Sequence, residues 1–267
     1  NSEIDYNLSI VFKSIQSFKE AILSIDSAIN QKPDNQKYQI LKADILIELA
    51  KNEDAKELLL NLKLPNESVL FFQRQILFSK IFMNQMKFGL AEKVLLDLRK
   101  SFSKERILYL NLSDLYFKNK ALEKGILILK EGIKIFPNFI PLRFNLAVMY
   151  RNMGLLKLSI ETHIEILLKD QLNSNSFYEL STMYDFSNHN DQLKTLLNIE
   201  IENLSQKEKI YFCYSKANAY HNNKDFKKSS YFLKIANDEK LKIQPSDIQR
   251  KLNTGEYFRN LKIDQNL

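Results

Sequence analysis

NLSDLYFKNKALEKGILILKEGIKIFP, running from Asn111 to Pro137, decides the fold: it is two amphipathic stretches separated by a short polar break. Leu112, Ser113 and Tyr116 share one face of the first stretch, and Gly125, Leu129 and Gly132 share one face of the second, which is α-helical spacing. NLAVMYRNMGLLKLSIETHIEIL, from Asn145 to Leu167, repeats the layout after 34 residues. Working outward, the chain fills seven rows, 2–35, 36–69, 72–105, 106–139, 140–173, 174–207 and 210–243, with two-residue insertions after the second and sixth. Slot eight of each row is Ala or Ser: Ser9, Ala43, Ser79, Ser113, Ala147, Ser181 and Ala217. A unit this short cannot bury its apolar face alone, so neighbours must stack into a solenoid, an architecture that offers a binding surface.

The slots differ for packing reasons. A small residue at slot eight lets two helices approach closely, and slot twenty answers it with Ala21, Ala55, Ala91, Gly125, Ser159 and Ser229, Leu193 being the exception. Slot eleven is large, Phe12, Leu46, Phe82, Tyr116, Tyr150, Tyr184 and Tyr220, and fills the space beside that approach. Pro33 and Pro137 stop the second helix of their rows. Row six places Asn190, Leu193 and Glu200 at positions that want apolar, small and small residues. An irregular second helix and a local change of curvature are expected there.

These slots resemble the tetratricopeptide repeat, which has small residues at slots eight and twenty, aromatics near eleven and seventeen, and proline at thirty-two. The resemblance covers residues 1–243 and implies an all-α, right-handed superhelical solenoid of helix-turn-helix repeats, with 244–267 as a basic capping or linking helix. It implies a protein or peptide partner in a concave groove lined by slots two, five, nine, twelve and thirteen of the first helices. Slot five reads Tyr6, Ile40, Ile76, Leu110, Phe144, Tyr178 and Tyr214, either core packing or a ligand-contacting ladder. The candidate groove residues are Lys80, Asp114, Lys118, Arg151, Asn152, Tyr178, Asp185, Tyr214, Asn218, His221 and Asn222. Varied polar groups of this kind suit recognition of one peptide, and a solvated face looks the same. The chaperone-type carboxylate clamp needs Lys and Asn across three rows, whereas slot five never holds Lys and slot nine holds Asn only at Asn218, so such a ligand is not expected.

A narrower resemblance lies in LSQKEKIYFCYSKANAYHNNKDFKKSSYFLKIAN, Leu204 to Asn237, which looks like the last repeat before the catalytic domain of certain bacterial sulfotransferases. In that family an irregular row precedes it and a short basic helix follows, where SDIQRKLNTGEYFRNL, 246–261, stands here. The resemblance implies the non-catalytic N-terminal part of a larger sulfotransferase, whose phosphosulfate donor would bind a domain beyond residue 267. A free-standing scaffold or adaptor is the alternative, and an ordinary terminal cap explains 246–261 equally.

Composition sets limits on chemistry. Five Gly and five Pro in 267 residues are too few for a turn-rich β fold or a phosphate-cradling loop. Cys213 is the single cysteine and no metal spacing surrounds it, so a reducing, cytoplasmic setting is expected, with no metal and no cofactor. His163 falls at a core slot and His189 and His221 lack partner residues at ligand spacing, so no catalytic role is expected of this chain. No apolar run reaches the about 18 residues of a membrane span. The net charge of +7 is concentrated at one end: residues 206–267 hold 13 Lys and Arg against 7 Asp and Glu. No basic stripe follows the repeats, which argues against nucleic acid. The Asn-x-Ser matches at Asn7 and Asn111 use Ser9 and Ser113, residues of the close-packing slot, and those at Asn66 and Asn203 are read as chance in an Asn-rich chain.

Overall fold

The computed structural model describes residues 1–183 and 190–243, which form fourteen α-helices and no strand. Two helices fall in each row: α1 (Ser2–Ser14) and α2 (Phe18–Gln31), α3 (Gln36–Glu48) and α4 (Asn52–Leu60), α5 (Val69–Asn84) and α6 (Phe88–Phe102), α7 (Arg106–Lys118) and α8 (Leu122–Ile135). They continue as α9 (Ile140–Asn152) and α10 (Leu156–Lys169), α11 (Ser174–Met183) and α12 (Asn190–Asn198), α13 (Gln206–Asn222) and α14 (Phe226–Ile243). The chain divides into two compact units, 1–155 with α1 to α9 and 156–267 with α10 to α14. Tyr184, Asp185, His189 and the linking segment 244–267 lie outside the described residues.

Every slot-eight residue is buried. At Ser9 the close approach is sealed by a hydrogen bond, its hydroxyl donating across the helix pair to the carbonyl of Ala21, the slot-twenty residue, at 2.9 Å. Ser79, Ser113 and Ser181 donate to carbonyls three residues back, Ile76, Leu110 and Tyr178, which lets a buried hydroxyl be satisfied within its own helix. Ala21, Ala55, Ala91 and Ser159 retain no exposed surface at slot twenty. Gly132 sits at a similar close approach: a Cβ there would stand 3.0 Å from both Leu142 Cδ1 and the Tyr109 ring, where α8 meets α9 and α7.

One backbone device recurs. Gln16, Ala50, Met86, Lys120, Gly154 and Lys224 occupy slot fifteen and all have positive φ, between 56° and 75°. The amide of the next residue then donates to the carbonyl of slot eleven, as in Ser17 to Phe12, Lys51 to Leu46, Lys87 to Phe82 and Ala121 to Tyr116. This left-handed cap ends the first helix and launches the second in each of these six rows. Only Gly154 is a glycine, so the turn is imposed by helix packing rather than by local preference. Pro33 and Pro137 follow Lys32 and Phe136, which leave helical geometry at φ −140° and −123°.

Both insertions lengthen the first helix that follows. α5 and α13 run 16 and 17 residues, against 13 in α1, α3, α7 and α9. In row six, α12 spans only nine residues, and the chain continues through buried Ile199 and Ile201 to the capping box of Ser205 and Glu208. The carbonyls left at the end of α12 are met by Lys216, 4% exposed, whose ammonium donates to Ile199 at 2.6 Å and to Leu197 at 3.2 Å. Burial lowers the Lys216 pKa from its usual value, and the ring of Phe232 lies 5.2 Å from its charge.

Candidate functional site

In the first unit the first helices of rows one to three, with Glu105 and Ile107 at the start of α7, line an open cavity of about 540 Å³. Its walls follow the repeat: slot two supplies Lys37 and Gln73, slot five Tyr6, Ile40 and Ile76, slot six Leu41 and Leu77, slot nine Asp44 and Lys80. Val69 and Leu70, from the extra turn that the first insertion adds to α5, overhang one side. The interior is apolar with charge at the rim, an arrangement suited to an anchoring side chain and polar backbone contacts.

The rim charges are pre-ordered. Asp44 lies between two lysines, in ion pairs with Lys13 of row one and, at 3.1 Å, with Lys80 of row three. Burial of the Asp44 carboxyl opposes its ionisation, but the ammonium groups of Lys80 and Lys13 prevail and hold it below the usual carboxylate range. Lys37 sits 4.3 Å over the Tyr6 ring, which stacks on Tyr38 at 5.1 Å. The charges on the lining balance, Lys37 and Lys80 against Asp44 and Glu105, with Lys13 behind Asp44 as its second partner.

The other sequence-selected residues fall elsewhere. Asp114 and Lys118 pair with each other at 3.0 Å on the solvent-facing side of α7, and Asn152 donates to the carbonyl of Val148 in its own helix. Arg151 is exposed on α9. In the second unit Tyr178 packs beside Tyr211 and Tyr214, with ring centroids 5.3 and 6.0 Å away, while the Tyr214 hydroxyl donates to Asn237. Asn218 donates to the hydroxyl of Ser181 at 3.0 Å, so it ties α13 to α11. His221 stands edge-on to Phe226 at 5.4 Å, and Asn222 is exposed. Of the selected residues only Lys80 lines the cavity. Lys37, Asp44, Leu70 and Gln73 were not selected; slot periodicity places three of them on the right arc, and the insertion marks Leu70.

Two of the candidates for chemistry, His163 and Cys213, are core residues. His163 is fully buried with Nδ1 3.3 Å from the Ser176 hydroxyl. Cys213 is also buried, which pushes its thiol up to about 11. Among the described residues no cluster of His, Cys, Asp or Glu is arranged to hold a metal, and no helix is long and apolar enough to cross a membrane.

No protein-family model and no curated protein matches the sequence. Solved structures do match. A thermophilic TPR protein of Thermus thermophilus superposes with a TM-score of 0.60 at 14% identity, over 68% of this chain and 98% of its own. The chain has the tetratricopeptide-repeat fold. A tetratricopeptide repeat protein of Parabacteroides merdae gives 0.56 at 16% identity, covering 88% of this chain and 84% of its own. Human IFIT1, solved as a dimer with PPP-AAAA, gives 0.57 at 14% identity over 88% of this chain and 64% of its own. At these identities the likeness is one of fold, so the repeat solenoid read from slot eight stands.

Proposed function

We propose that this chain is a non-catalytic interaction scaffold that holds an extended polypeptide segment against the first helices of rows one to three. The observation that supports this is the cavity of about 540 Å³, apolar within and charged at its rim. Its lining comes from successive rows at matching slots, so backbone contacts along the rows and one side-chain anchor would act together. Gln73 is exposed at the mouth, and Gln73→Trp fills the entrance without disturbing the core. Peptides selected from a random display library on the wild-type protein should lose at least about tenfold in affinity on Gln73→Trp, read by fluorescence anisotropy. Selected peptides that bind both proteins equally well would remove the cavity from the reading.

The resemblance of Leu204–Asn237 supports a narrower version, in which the scaffold presents a polypeptide substrate to a sulfotransferase domain encoded downstream, in a cytoplasmic setting. Sequencing the gene past the codon for Leu267 tests it: a reading frame that continues into a phosphosulfate-binding domain supports it, and a stop codon leaves the free-standing scaffold.

A further inference from the structure

The charges around the cavity divide into engaged and unengaged groups. Asp44 and Lys80 are paired with each other, with Lys13 as the second partner of Asp44, so all three are committed to joining α1, α3 and α5. Arg106, beside the rim, is drawn onto the ring of Phe139, 4.6 Å away. Lys37 and Glu105 are left. The Lys37 ammonium lies 4.3 Å over the Tyr6 ring, and among the described residues no carboxylate pairs with it. Glu105 is the N-cap residue of α7, but its side chain makes no capping bond and no described cation pairs with it. Both residues line the cavity and both are exposed.

These two groups are opposite in charge and stand at opposite sides. Lys37 is in the first turn of α3, and Glu105 directly precedes α7. The first helices between them pack in order, α3 on α5 and α5 on α7. Two interaxial steps of about 8–10 Å, crossed by extended chain at about 3.4 Å per residue, correspond to about five or six residues of ligand. The wall between is apolar: Val69 and Ile107, 70% and 41% exposed, offer most of its accessible surface together with Leu70.

We propose that the segment bound here carries an acidic residue opposite Lys37, a basic residue opposite Glu105, and a large aliphatic or aromatic residue between them. The proposal rests on the cavity being the binding site and adds the charge order of its ligand. A segment laid in the reverse order brings like charges together at both ends, so the same two residues fix which way the segment lies. A uniformly acidic or uniformly basic segment meets repulsion at one end, and so does the phosphate backbone of a nucleic acid, at Glu105. Both pairs are exposed to solvent, so they contribute to specificity more than to affinity.

The probes are the fluorescein-labelled peptides selected on the wild-type protein. By anisotropy at low ionic strength, Lys37→Glu should weaken them about three- to tenfold, and exchanging the acidic residue of the peptide for Lys should restore binding to that variant while weakening it to the wild type. Glu105→Lys should respond in the same way when the basic residue of the peptide is exchanged for Glu. Because both side chains are exposed, circular dichroism should show the variants folded; Lys37→Gln and Glu105→Gln, which remove the charge alone, serve if a reversal is not. Peptides that depend on Gln73 yet are indifferent to both reversals, or are not rescued by the exchanged residue, overturn the charge order and leave the cavity as the site. Peptides indifferent to Gln73→Trp overturn the cavity and the charge order together.

Discussion

Slot-eight residues show how much one side chain settles. Ala147 has no exposed surface, and replacing it with Leu inserts three carbons where two helices need to touch, so Ala147→Leu should cost about 1–3 kcal/mol in urea unfolding. An unchanged midpoint would mean that the close approach lies elsewhere. Lys216 is the opposite case, a buried charge at a slot that is Leu in rows four and five. Its position was opaque in the sequence because the need for it arises from α12, whose early end strands the Leu197 and Ile199 carbonyls. Lys216→Met keeps the length of the side chain and removes the donor, so it should destabilise the protein by about 1–3 kcal/mol in the same assay. Asn218 was legible as polar and facing the first-helix arc, but its partner Ser181 lies 37 residues away and only folding joins them.

At the scale of the helix, the slot-fifteen turn carries a strain that glycine would relieve. Lys120 holds φ 56° with a Cβ, whereas Gly154 holds 75° without one. Lys120→Gly should therefore stabilise the protein by about 0.5–1 kcal/mol, the relief of left-handed strain exceeding the added freedom of the unfolded chain. A fall in melting temperature would contradict that balance. Between helices, the ladder Lys13–Asp44–Lys80 joins α1, α3 and α5 and brings a pH dependence. The Asp44 carboxyl is held below its ordinary 3.8, so its stabilising contribution is complete above about pH 4 and is lost as pH falls through the lower folded-state value. The melting-temperature difference between wild type and Asp44→Asn should stay constant from pH 7 to about pH 4.5 and shrink below that. A difference that vanished already near neutrality would mean the carboxylate is not paired as described.

The whole molecule follows the logic of a stacked array, in which each row is stabilised by its own core and its neighbours. The first unit, 1–155, contains three of the four hydrophobic clusters among the described residues and the complete cavity lining. Residues 1–155 expressed alone should therefore be helical and melt in a single transition by circular dichroism; a broad, non-cooperative melt would show that the unit is not self-sufficient. The sequence alone determined the helix pairs, their register and the close-packing slots, because a period of 3.6 residues and a repeat of 34 write each face locally into the chain. It marked the breaks after rows two and six, but not that each would add a helical turn, nor that Leu70 would overhang a cavity. The tertiary structure alone decided which polar residues are already engaged. Asp114 with Lys118 was within reach of helical spacing, but Asp44 meets Lys13 and Lys80 across 31 and 36 residues. Such contacts depend on how far each row is rotated on the last, and that rotation is set by the summed packing of whole helices rather than by any slot.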